Sequence, residues 1–153
     1  MARSGQETRE GIRAAAVQLF LERGYAGTSV RDIAGRAQAD PALVIRHFGS
    51  KEQLFLDAMQ VEFDDDPLLS APLETLGESF IAYVLTHDEL RGVFLALLRA
   101  SDGSGIGSRL KDIHETAFIG PLRRRLGGPD AELRARLAAA LVGGLLYALW
   151  VVG

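Results

Sequence analysis

Two very short helical patterns near the N-terminus constrain the fold of this chain more than any other feature. They cover residues 29–37 and 41–48, so each is about two helical turns long. Isolated helices of fewer than about 12 residues are marginal in water. Both segments must therefore pack against a longer neighbour. The preceding apolar stripe offers that neighbour, with helical spacing of Ile12, Ala15, Ala16, Leu19 and Phe20.

Residues that favour helix ends lie at the boundaries of these patterns. Ser29 opens the second pattern, with Asp32 at capping-box spacing. Asp40 precedes Pro41, which suits the first position of a helix. Ser50 begins a fourth helix, and its capping box is completed three residues later. The apolar side of that helix is formed by Leu54, Phe55, Ala58, Met59 and Phe63.

The rest of the chain is also expected to be helical, because sustained period-two alternation and hairpin turn pairs are absent. The acidic run 64–66 before Pro67 is expected to end the fourth helix. Further helices are predicted at 72–86, 88–101, 106–126 and 130–152. The expected fold class is all-α, with an N-terminal three-helix domain over residues 1–50 and a helical domain over residues 51–153.

Composition excludes several classes of function. The chain has no cysteine, so it has no disulfide, thiolate metal site or cysteine nucleophile. Its N-terminus has charges of both signs and no apolar signal region, which favours a cytoplasmic location. Residues 1–55 hold eight Lys and Arg against six Asp and Glu, whereas residues 56–153 hold nine against fourteen. A slightly basic head on an acidic body suits DNA contact at one end.

Three helices within the first 48 residues, joined by short turns, have the layout of a helix-turn-helix, whose second short helix fits the major groove. The stretch TSVRDIAGRAQADPALVIRHFGSKEQLF resembles the signature of the TetR family of transcriptional regulators. The matching residues are Thr28, Ile33, Ala34, His47, Phe48, Lys51 and Leu54, with Phe20, Gly24 and Tyr25 before them. The resemblance covers residues 9–56 closely and the remainder only in its helical pattern.

The resemblance implies a repressor that binds a palindromic DNA operator, is released by a small-molecule effector, and forms a homodimer through its last two long helices. Phosphate contacts are expected from Thr28 and Ser29, because a helix N-terminus attracts anions. Lys51 lies in a first helical turn, which disfavours a cation unless it meets phosphate; an ordinary solvated lysine is the alternative. His47 is expected on phosphate by its family position.

Arg46 is the side chain most suited to read a base edge, because arginine pairs bidentately with guanine. Apolar contacts to DNA are expected from Pro41, Ala42, Leu43 and Ile45. Two positions depart from the family pattern: Gln38 replaces a turn glycine, and Ile45 replaces an aromatic residue in the recognition helix. These departures affect the operator sequence and leave the fold prediction unchanged.

An effector pocket in the helical body is expected to be lined by apolar and aromatic residues with few polar groups. The candidates are Phe80, Tyr83, Phe94, Leu98, His114 and Phe118. Ordinary core packing is the alternative for each of them. The body also ends in 17 uncharged residues, 137–153, which is at the short edge of transmembrane length. A dimer helix is the favoured interpretation over a membrane anchor, and the abrupt apolar end suggests a truncated sequence.

A catalytic role is not expected. The three histidines are scattered, and the chain lacks a zinc-protease motif, a phosphate loop and a nucleophile elbow. We therefore predict no catalytic residue, no metal site and no cofactor. The alternative function is a helical small-molecule binding protein or enzyme that does not bind DNA.

Overall fold

The computed structural model describes residues 4–60, 70–101 and 106–153, and within these ranges it contains helices and no strand. This confirms the predicted all-α fold class. The helices are α1 (Gly5–Arg23), α2 (Val30–Ala37), α3 (Pro41–Phe48), α4 (Lys51–Ala58), α5 (Leu76–Thr86), α6 (Asp88–Ala100), α7 (Ile106–His114), a π-helical turn (Glu115–Ile119), α8 (Gly120–Leu126), α9 (Ala131–Tyr147) and a second π-helical turn (Ala148–Val152).

The chain divides into two compact units. One comprises Met1–Val61 and Ala96–Gly107, and the other comprises Glu62–Leu95 and Ser108–Gly153. We call α1 to α4 the head, and the second of these units the body. Helix α4 ends at Ala58, before the acidic run 64–66 that was expected to end it, so that expected end is wrong. The run itself lies outside the described residues. The sequence boundary at residue 50 stays a prediction.

All four helices of the head begin at a side chain that caps them. The Ser29 hydroxyl accepts a hydrogen bond from the Asp32 amide (3.1 Å), and the Asp40 carboxylate accepts one from the Ala42 amide (2.7 Å). Ser50 caps α4 in the same way, and Ser4 forms a capping box at the start of α1. Such caps satisfy backbone amides that have no partner inside the helix. The three helix starts predicted from the sequence are therefore confirmed.

The core of the head is formed by the stripe predicted on α1 together with apolar residues of the short helices. The buried residues of α1 are Ile12, Ala15, Ala16, Leu19 and Phe20. Ile33 of α2, Val44 of α3 and Leu54 of α4 are each fully buried. The short helices are thus held by tertiary packing, as their length requires.

An ion-pair cluster ties the first helix of the head to the fourth. The Asp57 carboxylate lies 3.1 Å from the Arg9 guanidinium and 2.9 Å from that of Arg13. Arg13 also donates to the backbone carbonyl of Asp57. The Arg9 guanidinium lies 4.9 Å from the centroid of the Phe48 ring, so α1, α3 and α4 meet at this cluster.

The body has a small core between its last helices. Ile119, Leu122, Ala135 and Ala139 form its buried centre, and Leu76, Phe118, Leu126 and Ala138 pack against it. The predicted helix at 106–126 is interrupted by a π-helical turn, and the helix predicted from residue 72 begins at Leu76. The later start follows from a turn in which the Thr75 amide donates to the Pro72 carbonyl.

The last helix leaves much of its apolar surface uncovered. Leu133, Leu137 and Leu141 recur every four residues and are 59%, 54% and 74% exposed. Their spacing puts them on one side of α9. By length and composition the segment Ala131–Val152 is long and apolar enough to cross a membrane, and 17% of its most apolar stretch is buried.

Candidate nucleic-acid interface and ligand cleft

Helix α3 has one buried side and one open side. Val44 and Phe48 anchor it in the core of the head. Pro41, Ala42 and Ile45 are exposed, and Ile45 has 45% of its surface accessible. Ile45 lies one helical turn after Pro41, and exposed apolar side chains at these positions are suited to thymine methyl groups in a major groove.

The polar residues expected on DNA lie at the C-terminal half of the same helix. Arg46 is exposed, and within the described residues its side chain makes no ion pair. Leu43 and His47 are half-buried, and the His47 ring lies 6.5 Å from the ring of Phe48. The structure therefore brings together the predicted residues of α3 on or beside one accessible side.

Thr28 requires a correction. Its side chain is 1% exposed, and its hydroxyl donates to the Leu19 carbonyl (3.1 Å) and to the Gly24 carbonyl (2.9 Å). Because the hydroxyl is buried and engaged at the end of α1, it cannot reach a phosphate. Thr28 holds the turn between α1 and α2, and the expected phosphate contact of its side chain is wrong.

Ser29 is exposed at the N-terminus of α2, as expected, but its donors are already used. Its hydroxyl donates to the Asp32 carboxylate at 2.5 Å, and its backbone amide donates to the same carboxylate at 2.9 Å. These hydrogen bonds lower the pKa of Asp32 and keep it ionised. A phosphate at this point would have to displace a carboxylate, so contact through Ser29 stays a prediction.

Lys51 is held in place by an aromatic ring. Its ammonium nitrogen lies 4.1 Å from the centroid of the Tyr25 ring, and burial lowers the pKa of the lysine. Tyr25 in turn packs edge-on against Phe55, with ring centroids 5.1 Å apart. A fixed cation at the start of α4 is better suited to a defined phosphate than a lysine free in solvent, because less side-chain entropy is lost on binding.

The body contains an apolar cleft of about 290 Å³. Its walls come from α5, the first π-helical turn, α8 and α9. Of the six residues predicted to line a pocket, Phe80 and Phe118 line this cleft, with ring centroids 5.8 Å apart. Other lining residues are Leu76, Leu122, Ala138, Val142 and Arg134.

The remaining pocket candidates do not line this cleft. Tyr83 stacks on His87 with ring centroids 3.8 Å apart, and Phe94 packs edge-on against Trp150 at 5.4 Å. Leu98 is exposed, and His114 is exposed beside Phe118. The assignment of these four residues to an effector pocket is therefore not supported by this cleft and stays a prediction. Apolar spacing marked them as aromatic or aliphatic positions but did not identify their neighbours.

A network of alternating charges lies on the body. Arg123 contacts Glu132 at 2.7 Å and Glu115 at 3.8 Å, and Arg136 contacts the same two carboxylates at 2.6 and 3.1 Å. The pKa of Glu132 is lowered by its hydrogen bonds to Arg123 and Arg136. The network joins the first π-helical turn to α8 and α9. Among the described residues no group of three or more His, Asp or Glu could hold a metal ion.

Sequence reasoning missed three residues at these sites. Tyr25 was noted only as a family match, and its contact with Lys51 is not visible from a separation of 26 positions. Asp57 is 44 and 48 positions from its arginine partners, so no local spacing signals it. Arg134 lies one turn before Ala138, and the apolar side that both residues share could have been found by helical spacing.

Comparison with known families supports the head and the body separately. The family described as bacterial regulatory proteins, tetR family, matches residues 12–58. The family described as tetracyclin repressor-like, C-terminal domain, matches residues 74–153. The chain belongs to the TetR family, which confirms the resemblance found in the sequence.

Similar proteins include transcriptional regulators of bacteria. An HTH-type transcriptional repressor of Mycobacterium tuberculosis is 53% identical over 49 residues, which is 32% of this chain and 26% of the relative. The match thus spans about a quarter of that relative's length. DhaR, an HTH-type transcriptional repressor of Mycobacterium sp. strain GP1, is 30% identical over 151 residues, covering 87% of this chain and 73% of DhaR.

Solved structures of the family have the same fold. NalD, the secondary repressor of the MexAB-OprM multidrug efflux pump in Pseudomonas aeruginosa, superposes with a TM-score of 0.72 at 25% identity, covering 94% of this chain and 84% of NalD. A TetR-family regulator from Streptomyces coelicolor superposes with a TM-score of 0.53 at 30% identity, covering 99% and 84%.

Proposed function

We propose that this chain is a transcriptional repressor that acts in the cytoplasm, binds a palindromic DNA operator as a homodimer and is released by a small-molecule effector. The observation that carries the proposal is the open side of α3, where Ile45 and Arg46 are exposed while Val44 and Phe48 anchor the helix. The repressor activity of DhaR and NalD, as their names state it, supports the same function.

In this proposal α3 enters the major groove. Arg46 donates to the acceptors of a guanine, and Pro41, Ala42, Leu43 and Ile45 contact base edges or thymine methyls. Phosphates are bound by Lys51, which the Tyr25 ring positions, and by His47. Ser29 adds a phosphate contact only when its hydroxyl turns away from Asp32. The chain's role is binding and not catalysis, in keeping with relatives that are regulators.

A palindromic operator requires two heads, so the proposal needs a dimer. The uncovered apolar side of α9, represented by Leu137 and Leu141, is suited to a two-fold interface in which each copy covers the other. Two heads would then meet half-sites about 34–36 Å apart, the spacing of one turn of DNA.

The DNA-binding proposal is tested by fluorescence anisotropy with the intergenic duplex upstream of the gene, at several salt concentrations. Arg46→Ala is expected to lose about 1–3 kcal/mol on the preferred sequence and little on random DNA. Lys51→Ala is expected to weaken both, with a salt slope smaller by about one. Arg91→Ala, an exposed arginine on α6, serves as the control and should change neither.

Salt-independent affinity, or an equal loss with Arg46→Ala on every sequence, would contradict the proposal. Ligand binding with no binding to any duplex would instead favour the alternative of a helical small-molecule carrier.

The dimer is tested by sedimentation velocity of the purified chain without detergent. Leu141→Glu is expected to convert dimer to monomer, because it buries a carboxylate in the apolar interface. Leu85→Glu is a matched control, since Leu85 on α5 is 59% exposed and lies outside α9. A wild-type monomer would contradict the dimer, and a chain recovered only with detergent would favour the membrane-anchor alternative.

A further inference from the structure

In the described part of the chain, the cleft of the body has one charged residue in its lining. Of the ten described residues around it, nine are apolar or glycine, and the tenth is Arg134. No carboxylate is among them. An apolar cleft with a single cation favours a molecule that carries the opposite charge on an otherwise apolar frame.

Three other arginines of α8 and α9 are already engaged. Arg123 and Arg136 each contact two carboxylates, and Arg125 donates to the backbone carbonyl of Ala71. The Arg134 guanidinium makes no ion pair or hydrogen bond with any residue in the described part of the chain. Its five N–H donors are therefore available to a ligand.

The row of α9 residues that lines the cleft lies next to the row proposed for the dimer. Arg134, Ala138 and Val142 are spaced by four residues and share the cleft. The exposed leucines, represented by Leu137 and Leu141, follow the same spacing one position earlier. Arg134 and Leu137 are three residues apart, so the two rows are neighbours, and competition between a second copy and a ligand is one of the outcomes tested below.

We propose that this cleft binds a compact apolar carboxylate, with the carboxylate on Arg134 and the apolar part between Phe80, Phe118 and Leu122. A guanidinium binds carboxylate through two parallel hydrogen bonds, which are stronger than bonds between neutral groups. The volume of about 290 Å³ lies near the lower end of small-molecule pockets, which selects a compact ligand. This names the chemical class of the effector, so its regulatory meaning rests on the proposed function.

The binding step is tested by calorimetry on the whole chain with three probes of equal length: octanoate, octanamide and octylamine. Octanoate is expected to bind at least about tenfold more tightly than octanamide, and octylamine most weakly. Arg134→Gln should reduce octanoate affinity to that of octanamide and leave octanamide unchanged. Arg134→Lys should restore part of the preference, and Arg91→Gln should change nothing.

A second variant tests the location of the site. A Cβ added at Gly77 on α5 would meet no atom within 4 Å, so Gly77→Leu can extend into the cleft without disturbing the helix backbone. Gly77→Leu should lower the affinities for octanoate and octanamide by similar factors. Equal binding of octanoate and octanamide, no binding of any probe, or octanoate affinity unchanged in Arg134→Gln would each overturn the proposal. So would octanoate affinity that falls as protein concentration rises, because a second copy would then occupy the cleft.

Failure of this inference and failure of the proposed function give different results. If octanoate binds through Arg134 but does not change the affinity for DNA, the site is supported and its role as an effector site is excluded. DNA binding that is unaffected by octanoate, together with no octanoate binding, would overturn the site and leave the repressor proposal standing.

Discussion

The buried hydroxyl of Thr28 gives the sharpest test of how the head is built. Thr28→Val keeps the shape of the side chain and removes the donor to the Leu19 and Gly24 carbonyls. A hydrogen bond of this kind contributes about 0.5–1.5 kcal/mol, and a buried acceptor left without a partner costs about 1–3 kcal/mol. Leu19 lies within α1, where the helical ladder provides a second donor, whereas the Gly24 carbonyl lies beyond the helix.

One lost bond and one carbonyl partly left unsatisfied give an expected loss of about 2 kcal/mol in the free energy of unfolding for Thr28→Val. The measurement is urea unfolding followed by helical circular dichroism. Thr28→Ser is the matched control, because it keeps the hydroxyl and loses one buried methyl group, at about 1 kcal/mol. DNA affinity, measured where both variants are folded, should keep the salt slope of the wild type.

The reasoning would be refuted by the opposite pattern. If Thr28→Val left the unfolding free energy unchanged and reduced the salt slope of DNA binding by about one, the hydroxyl would be a phosphate ligand after all.

Three further changes follow from the head. Tyr25→Leu should reduce the salt slope of DNA binding as Lys51→Ala does, with no added loss in the double variant, whereas Tyr25→Phe should retain the wild-type slope; additive losses would contradict this. Gln38 has a positive φ of 52°, so Gln38→Gly should raise the free energy of unfolding, measured with urea, by about 1 kcal/mol. A lower free energy of unfolding in this variant would show that the backbone at Gln38 is not strained. The pKa of Asp32 is lowered in the folded chain, so its contribution to stability is present above its ordinary pKa and lost as pH falls through the folded value. The free energies of unfolding of the wild type and of Asp32→Asn should therefore become equal at acid pH. A difference that stays constant with pH would contradict a stabilising role for the ionised Asp32 carboxylate at the start of α2.

Features set by neighbouring residues could be predicted from the sequence. Helix starts at Ser29, Asp40 and Ser50 follow from local hydrogen bonds, and the buried stripe of α1 follows from helical spacing. Gln38 occupies a turn position that is usually glycine in the family, and its backbone adopts the left-handed conformation that favours glycine.

Features that depend on which surfaces meet could not be predicted. Thr28 has the residue type and the position of a phosphate ligand, and only its burial beneath the end of α1 shows otherwise. Tyr83 and Phe94 have the spacing of interior residues, but their rings contact His87 and Trp150 instead of the cleft. The helical spacing of apolar residues identifies which side of a helix is apolar. Which residues that side contacts depends on the packing of the whole body.

The uncovered leucines of α9 have a consequence for the abundance of this protein in a cell. A second copy that binds only the folded chain stabilises it by mass action, so the thermal midpoint of the body should rise with protein concentration. At low copy number the unassembled chain would be exposed through Leu133 and Leu141 and open to proteolysis. Protein abundance would then rise faster than the rate of synthesis, because each added chain also protects other chains from proteolysis by pairing with them.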